Sequence, residues 1–210
     1  MVVSLHAATL GGDPQAGGAP RPVLFGKLPC RGDFVSRGLA AEAAAAWDSW
    51  FAQGLEAAHA ALAEGFDKAH DTAPAWRFLC GPSALGRTWR AGAFAASKDR
   101  AGRRFFFMLA LDDLASPWAA AFGLAAAERI VDSLYRSFAD DAELDHVLDD
   151  VAAAAKDTAA AAPAAARDIF TAATGGLWWT PAGEGIRFEA GALPPPEFLV
   201  RALSPAGDGA

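Results

Sequence analysis

The stretch from Ala96 to Leu111 constrains the fold more than any other part of the chain. A polar segment with five charged residues comes first, and seven consecutive apolar residues follow from Phe105 to Leu111. An unbroken apolar run after a turn signal is typical of a strand that is buried on both faces, because a half-exposed strand alternates apolar and polar residues. We therefore predict a central strand that is covered on both sides and has a charged loop at its entrance.

Several neighbouring segments have strand patterns. Residues 22–28 are a short extended segment, and residues 75–80 and 89–97 are strand candidates next to the central strand. Their short connections favour antiparallel neighbours, so we predict a meander in the middle of a sheet. A hairpin is predicted where 177–180 and 185–189 flank a Pro-Ala-Gly-Glu-Gly turn.

Helical patterns supply the layers above and below this sheet. Apolar residues at spacings of three and four between Leu39 and Phe66 predict one kinked helix or two helices, with Gly54 and Gly65 as weak points. A breaker is expected at 71–74. Two more helices follow, the first capped by Ser116 before Pro117, and a last helical turn is expected at 197–203. We predict an α/β (α+β) fold, a three-layer α/β/α sandwich with a mostly antiparallel central sheet.

Length and composition favour one domain. The 210 residues are 53% hydrophobic, which is enough for one sizeable core. Residues 1–21 are rich in Gly and Pro and are predicted to be a disordered lead-in. The single domain is then expected over 22–204, with a flexible tail at 205–210.

The charge and the apolar pattern exclude several classes of protein. A net charge of −7 disfavours general nucleic-acid binding and attraction to anionic membranes. No apolar run approaches the roughly 20 residues of a membrane span, and the N-terminus lacks the basic start of a secretory signal. Cys30 and Cys80 lie far apart and fit a reducing compartment. We expect a cytoplasmic protein that neither inserts into membranes nor binds nucleic acid.

Catalytic signatures are lacking in the sequence. The four histidines fall in no recognisable nucleophile or metal pattern, and no glycine-rich loop has the spacing of a nucleotide-binding fingerprint. We predict no catalytic residue, no metal site and no cofactor, and we expect a protein that is not an enzyme.

Charged residues at strand ends and tight turns lie beside large aromatic residues in the sequence. Three interpretations stay open for the polar set. It is an Arg-Asp network that fixes loop geometry, for example through a bidentate guanidinium on Asp99 or Asp33; it is the polar rim of a protein interface with aromatic anchors; or it is an anion pocket. The polar set comprises Lys27, Arg31, Asp33, Arg77, Asp99, Arg100 and Arg103, and the candidate anchors are Phe34, Trp47, Trp50 and Trp76.

The order of several short motifs resembles the TagF family of type VI secretion-associated proteins. The motifs are G-K-L-P-C-R-G-D-F-V (26–35), W-D-S-W (47–50), P-A-W-R-F (74–78), S-K-D-R-A-G-R-R-F (97–105), L-W-W-T (177–180) and A-L-P-P-P-E-F (192–198). Any one of them alone is a weak signal, but together they cover essentially the whole predicted domain in one order.

This resemblance implies a function. It implies a cytoplasmic, non-enzymatic regulator, a post-translational repressor of type VI secretion system assembly that sequesters a forkhead-associated scaffold protein. Members linked to a PP2C-type phosphatase imply a connection with threonine phosphorylation. Two alternatives stay open, namely a structural or accessory subunit of the apparatus and a phosphate-binding enzyme that uses the cationic loops.

Overall fold

The computed structural model describes residues 20–81, 88–114, 117–139, 142–158, 176–180, 185–188 and 193–204. Within these ranges the side chains of 117–125, 156–158 and 185–188 are not described. The predicted tail and all but the end of the predicted lead-in therefore lie outside the described residues. The first strand begins at Arg21.

Within the described ranges, seven strands form one sheet in the order β2-β1-β5-β4-β3-β6-β7, and every neighbouring pair is antiparallel. The predicted meander is confirmed as β3-β4-β5, and the predicted hairpin as β6-β7. The three-residue strand β2 was not predicted, because it is too short to show an alternating pattern. The strands are β1 (Arg21–Gly26), β2 (Val35–Arg37), β3 (Trp76–Cys80), β4 (Trp89–Lys98), β5 (Arg104–Leu114), β6 (Gly176–Trp179) and β7 (Gly185–Phe188).

Helices cover both faces of this sheet, as the three-layer prediction requires. Helices α1, α2 and α5 lie over one face, and α3 and α4 lie over the other. The helices are α1 (Ala41–Leu62), α2 (Phe66–Thr72), α3 (Pro117–Arg136), α4 (Leu144–Thr158) and α5 (Phe198–Leu203). Ser116, the predicted N-cap of α3, lies outside the described residues.

The apolar run predicted as a central strand is β5, and it is buried on both faces. Phe106 and Met108 point into the core beneath α1 and α5, whereas Phe107 and Leu109 point into the core beneath α3 and α4. Each of these four side chains is at most 1% exposed. Full burial of such a side chain contributes about 1.5–3 kcal/mol, so an unbroken apolar strand is stable only between two layers of helices.

The first helical region breaks beside Gly65, one of the two predicted weak points, and not at Gly54. Helix α1 continues through Gly54, and the break comes at Ala63, whose φ of 45° interrupts the helical backbone. A short 3-10 turn (Ala63–Gly65) then leads into α2, which continues to Thr72. The helix-breaking segment was predicted to begin at Asp71, but it begins two residues later, after α2 ends at Thr72.

Candidate functional site

Two loops at one end of the sheet are joined by the carboxylate of Asp99. These are residues 27–34, which we call the latched loop, and the turn between β4 and β5. Asp99 Oδ2 accepts hydrogen bonds from Lys27 Nζ at 3.1 Å and from Arg103 Nε at 2.6 Å. Its Oδ1 accepts from the backbone amides of Ala101 and Arg103 at 2.9 and 3.0 Å. The side chain of Asp99 is fully buried, so one carboxylate fixes the turn and holds the loop against it.

Further contacts run from the turn and from the end of β4 to backbone carbonyls of the latched loop. Arg103 Nη2 donates to Gly32 O at 2.9 Å, and Arg100 Nη2 donates to Cys30 O at 2.5 Å. Ser97 Oγ donates to Lys27 O at 2.7 Å. The predicted bidentate guanidinium on Asp99 is wrong, because Arg103 divides its nitrogens between Asp99 and Gly32. Lys27, Asp99, Arg100 and Arg103 thus all fix loop geometry.

The other three members of the predicted polar set lie apart from Asp99. Arg77 is on the opposite face of β3 from Trp76 and Phe78 and pairs with Glu128 of α3 at 2.8 Å, so its grouping with the loops is wrong. Asp33 is exposed, and among the described groups its carboxylate accepts only from the amide of Phe34, at 2.8 Å. Arg31 is half-buried and extends towards the start of α4, where Nη2 lies 3.4 Å from Ala142 O.

Of the four predicted aromatic anchors, only Phe34 reaches the surface. It is 44% exposed, its ring packs edge-on against Phe105 at 4.9 Å, and the ammonium of Lys27 lies 5.0 Å from its centroid. Trp47, Trp50 and Trp76 are at most 5% exposed and belong to the core beneath α1 and α5. They are core residues and offer no surface for an anchor. Trp47 and Trp50 lie on the apolar stripe of α1, and Trp76 lies in β3, with its side chain in the core beneath α1 and α5.

A cleft of about 390 Å³ lies between the latched loop, β2 and the start of α4. We call it the α4 cleft. Arg31 and Arg37 face it from the loop and β2, and Glu143 and Asp145 face it from the start of α4. The remaining lining is apolar and consists of Phe34, Val35 and Leu144. The cleft therefore carries positive charge on one side and negative charge on the other.

Comparison with known proteins places the chain in a family. Residues 23–154 match the TagF N-terminal domain, described as type VI secretion system-associated. The chain belongs to this family. The crystal structure of PA0076 from Pseudomonas aeruginosa PAO1 superimposes with a TM-score of 0.70 at 26% sequence identity. That likeness covers 90% of this chain and 96% of PA0076, so it extends beyond the TagF match. No protein with a curated description gives a significant match.

Two reactive side chains of this TagF-family chain, Cys80 and His70, are buried. Burial raises the pKa of the Cys80 thiol to about 12, against a smaller opposing effect of Arg90, so the thiol is protonated at neutral pH. His70 is 2% exposed, with Nε2 2.8 Å from Phe105 O and Nδ1 3.4 Å from Asp71. Its burial lowers its pKa, although the contacts with Phe105 and Asp71 oppose that shift.

Two kinds of feature are absent from the described residues. No group of three or more His, Cys, Asp or Glu is arranged to hold a metal ion there. No described helix is long and apolar enough to cross a membrane.

Of the seven residues that line the α4 cleft, the sequence indicated only Arg31 and Phe34 as site residues. Arg37, Glu143 and Asp145 are ordinary surface charges in the sequence, and they meet Arg31 only because α4 packs beside β1 and β5. The buried pair of Arg90 with Asp112, whose closest atoms are 2.7 Å apart, was also missed. A signal for that pair existed, because each charged residue lies within or directly beside an apolar strand.

Proposed function

We propose that this chain is a cytoplasmic, non-enzymatic regulator of type VI secretion. It represses assembly of the system after translation by binding a forkhead-associated scaffold protein, and it has a functional link to a PP2C-type phosphatase. Membership of the TagF family supports the association with type VI secretion. The repressor role and the scaffold partner come from the resemblance of the sequence motifs.

The observation that carries the binding role is the latched loop. Arg100 and Arg103 donate to backbone carbonyls of this loop, and Asp99 binds its Lys27 side chain. The loop presents Phe34 to solvent. A surface that is already ordered loses less conformational entropy on binding, and exposed aromatic residues beside arginines are typical of interface hot spots. The arrangement therefore supports protein binding.

The non-enzymatic part of the proposal rests on how the reactive groups are used. The Asp99 carboxylate accepts four hydrogen bonds, and the His70 ring contacts a buried backbone carbonyl. The Cys80 thiol is protonated at neutral pH because burial raises its pKa. We expect the purified chain to hold no stoichiometric divalent metal and to turn over no generic phosphomonoester. A stoichiometric divalent metal, or turnover of the phosphomonoester, would contradict this part of the proposal.

The regulatory role is tested in the native bacterium. Deleting the gene should raise the number of assembled secretion sheaths per cell and the amount of secreted effector, and overproducing the chain should lower both. Fractionation separates the regulator from an accessory subunit, because a regulator has a free cytoplasmic pool whereas a subunit co-sediments with sheath or baseplate. A deletion that leaves assembly unchanged or reduces it would contradict repression.

A further inference from the structure

We propose that the α4 cleft binds an extended segment of the partner protein in which an acidic and a basic residue lie close together. The inference rests on the proposed function and deepens it, because it locates the binding site and states the chemistry of the segment that enters. The basic side of the cleft takes the partner's carboxylate, and the acidic side takes its ammonium or guanidinium group.

The first support is that the charged side chains of the cleft form no ion pair with one another or with any other described residue. Among the described residues, none of Arg31, Arg37, Glu143 and Asp145 forms an ion pair. Elsewhere in the structure basic side chains do find carboxylates, as Arg21, Arg77, Arg90, Lys98, Arg104 and Arg136 show. Two arginines and two carboxylates therefore share one cleft without neutralising each other. Opposite charges on a bound segment would complement both sides.

The second support is the state of the Arg31 guanidinium. Its Nε is buried and has no hydrogen-bond acceptor among the described residues. Its Nη2 has only the long 3.4 Å contact with Ala142 O. A buried donor without an acceptor is costly, and a carboxylate is the acceptor that a guanidinium binds most strongly. The carboxylate of a bound segment would supply the missing acceptor.

The third support is the shape of the cleft and its position at the end of the sheet. A volume of about 390 Å³ lies at the lower end of the roughly 300–1,000 Å³ of ordinary ligand sites, so it suits a few residues of a chain and not a folded domain. Val35 and Arg37 are two positions apart in β2, so both side chains point to the cleft. β2 is an edge strand of the described sheet, and the unpaired edge of a strand is the kind of surface along which extended peptides bind.

The rim of the cleft supplies the apolar contact that such a segment needs. Phe34 and Tyr135 are the two large hydrophobic side chains that are exposed among the described residues, and Phe34 lines the cleft. The latched loop fixes the backbone on either side of Arg31, so the arginine and the phenylalanine are held in place before binding.

The experiment measures binding between the purified full chain and the purified forkhead-associated protein encoded in the same type VI cluster, by calorimetry. Two charge reversals are compared with wild type, Arg37→Glu and Glu143→Lys. Both residues are exposed, and the only described contact of the Arg37 side chain is with the carbonyl of its neighbour Ser36. We expect each reversal to weaken binding by about tenfold, because each creates a like-charge contact with the segment. Phe34→Ala should weaken binding to a similar extent.

The matched controls carry the same charge changes on other surfaces. Lys68→Glu on α2 and Glu56→Lys on α1 alter exposed residues on helices that cover the opposite face of the sheet from α4. Each control should bind within about twofold of wild type, since an isolated rim charge far from a site contributes little. Thermal unfolding of every variant verifies that it is folded, and Asp145→Lys replaces Glu143→Lys if the latter does not fold.

The outcomes separate the two proposals. If wild type does not bind the forkhead-associated protein, the proposed partner is wrong and so is the inference built on it. If wild type binds and both cleft reversals bind equally well, the proposed function stands and the α4 cleft is not the site. If one reversal weakens binding and the other strengthens it, the segment carries charge of a single sign, and the two-sign chemistry is overturned.

Discussion

The carboxylate of Asp99 accepts hydrogen bonds from two backbone amides and from the side chains of Lys27 and Arg103. Burial raises the pKa of Asp99, but these contacts outweigh that effect and hold the pKa at about 2. At the scale of the residue, therefore, one negative charge keeps the buried ammonium of Lys27 paired and the latched loop in place.

We expect Asp99→Asn to lower the Tm at pH 7 by roughly 5–10 °C, because the amide removes the charge while keeping the shape and leaves the Lys27 ammonium, 10% exposed, without its counter-ion. Differential scanning calorimetry measures the change. Asp33→Asn is the matched control, since the Asp33 carboxylate is exposed and its one described hydrogen bond is from the neighbouring amide. If Asp99→Asn and Asp33→Asn have the same Tm, the interpretation that Asp99 holds the latched loop in place is wrong.

Single residues also show how far the sequence was informative. Lys27, Asp99, Arg100 and Arg103 were placed in one set because they lie at strand ends and tight turns of the sequence, and the structure brings these four together. Arg77 was placed wrongly although a signal existed: side chains alternate along a strand, so a residue between Trp76 and Phe78 points to the other face. Glu128, its partner, is 51 positions away, and no local pattern connects the two.

At the scale of the element, α1 and α5 approach each other closely at Gly54. A Cβ at this position would lie 2.8 Å from both Cβ and Cγ of Leu199, whose side chain is fully buried. The sequence indicated Gly54 as a weak point of the helix. The structure explains the glycine differently: a side chain at position 54 would occupy the space that α5 needs. Helix α5 begins 144 residues further along the chain. A contact of that kind leaves no local signal at Gly54.

Gly54→Ala should therefore destabilise the fold, although alanine is the better helix former by about 1 kcal/mol. Overpacking a close helix contact costs about 1–3 kcal/mol, and it also separates α1 from α5. Gly65→Ala is the control, because nothing lies within 4 Å of the added Cβ. We expect a lower urea midpoint for Gly54→Ala and an unchanged or slightly higher one for Gly65→Ala. A stabilised Gly54→Ala would show that Leu199 moves aside at no cost.

The strands give a second comparison at this scale. β5 was predictable because seven apolar residues in a row are stable as a strand only between two layers. β2 was not, since it has three residues and two of them are exposed. It is held by pairing with β1, from Leu24 with Arg37 to Gly26 with Val35, and such long-range pairing is invisible to a pattern search. The α4 cleft depends on β2, so the site was only partly predictable for the same reason.

At the scale of the whole molecule, the described ionisable groups predict that stability falls with acid in two separate steps. His70 is neutral in the fold because burial lowers its pKa below the ordinary 6.5. The unfolded chain therefore takes up a proton below about pH 6.5 that the folded chain resists, and stability decreases as the pH falls from there. Asp99 acts in a lower range: its folded pKa of about 2 lies below the ordinary 3.8, so its contribution is complete above about pH 4 and is lost towards pH 2.

Asp71 belongs to the second step but contributes less. Burial opposes the shift, yet hydrogen bonds from Lys98 and Arg104 and the contact with His70 together hold the pKa of Asp71 well below its usual range. Its side chain is 37% exposed, so water screens these pairs and weakens their effect on stability. The buried Asp99 should therefore dominate the second step among the described carboxylates.

The measurement is the Tm of wild type, His70→Gln and Asp99→Asn from pH 8 to pH 2. Glutamine keeps an N–H that can donate to Phe105 O but takes up no proton, so His70→Gln should flatten the curve between pH 6.5 and 5 and leave the lower step. Asp99→Asn should start lower at neutral pH and converge with wild type as the pH falls below 4. His146→Gln changes an exposed histidine of α4 and should follow wild type throughout. If His70→Gln and wild type stay parallel between pH 7 and 5, the buried histidine is not the source of the first step, and the loss must come from groups outside the contact of α2 with β5.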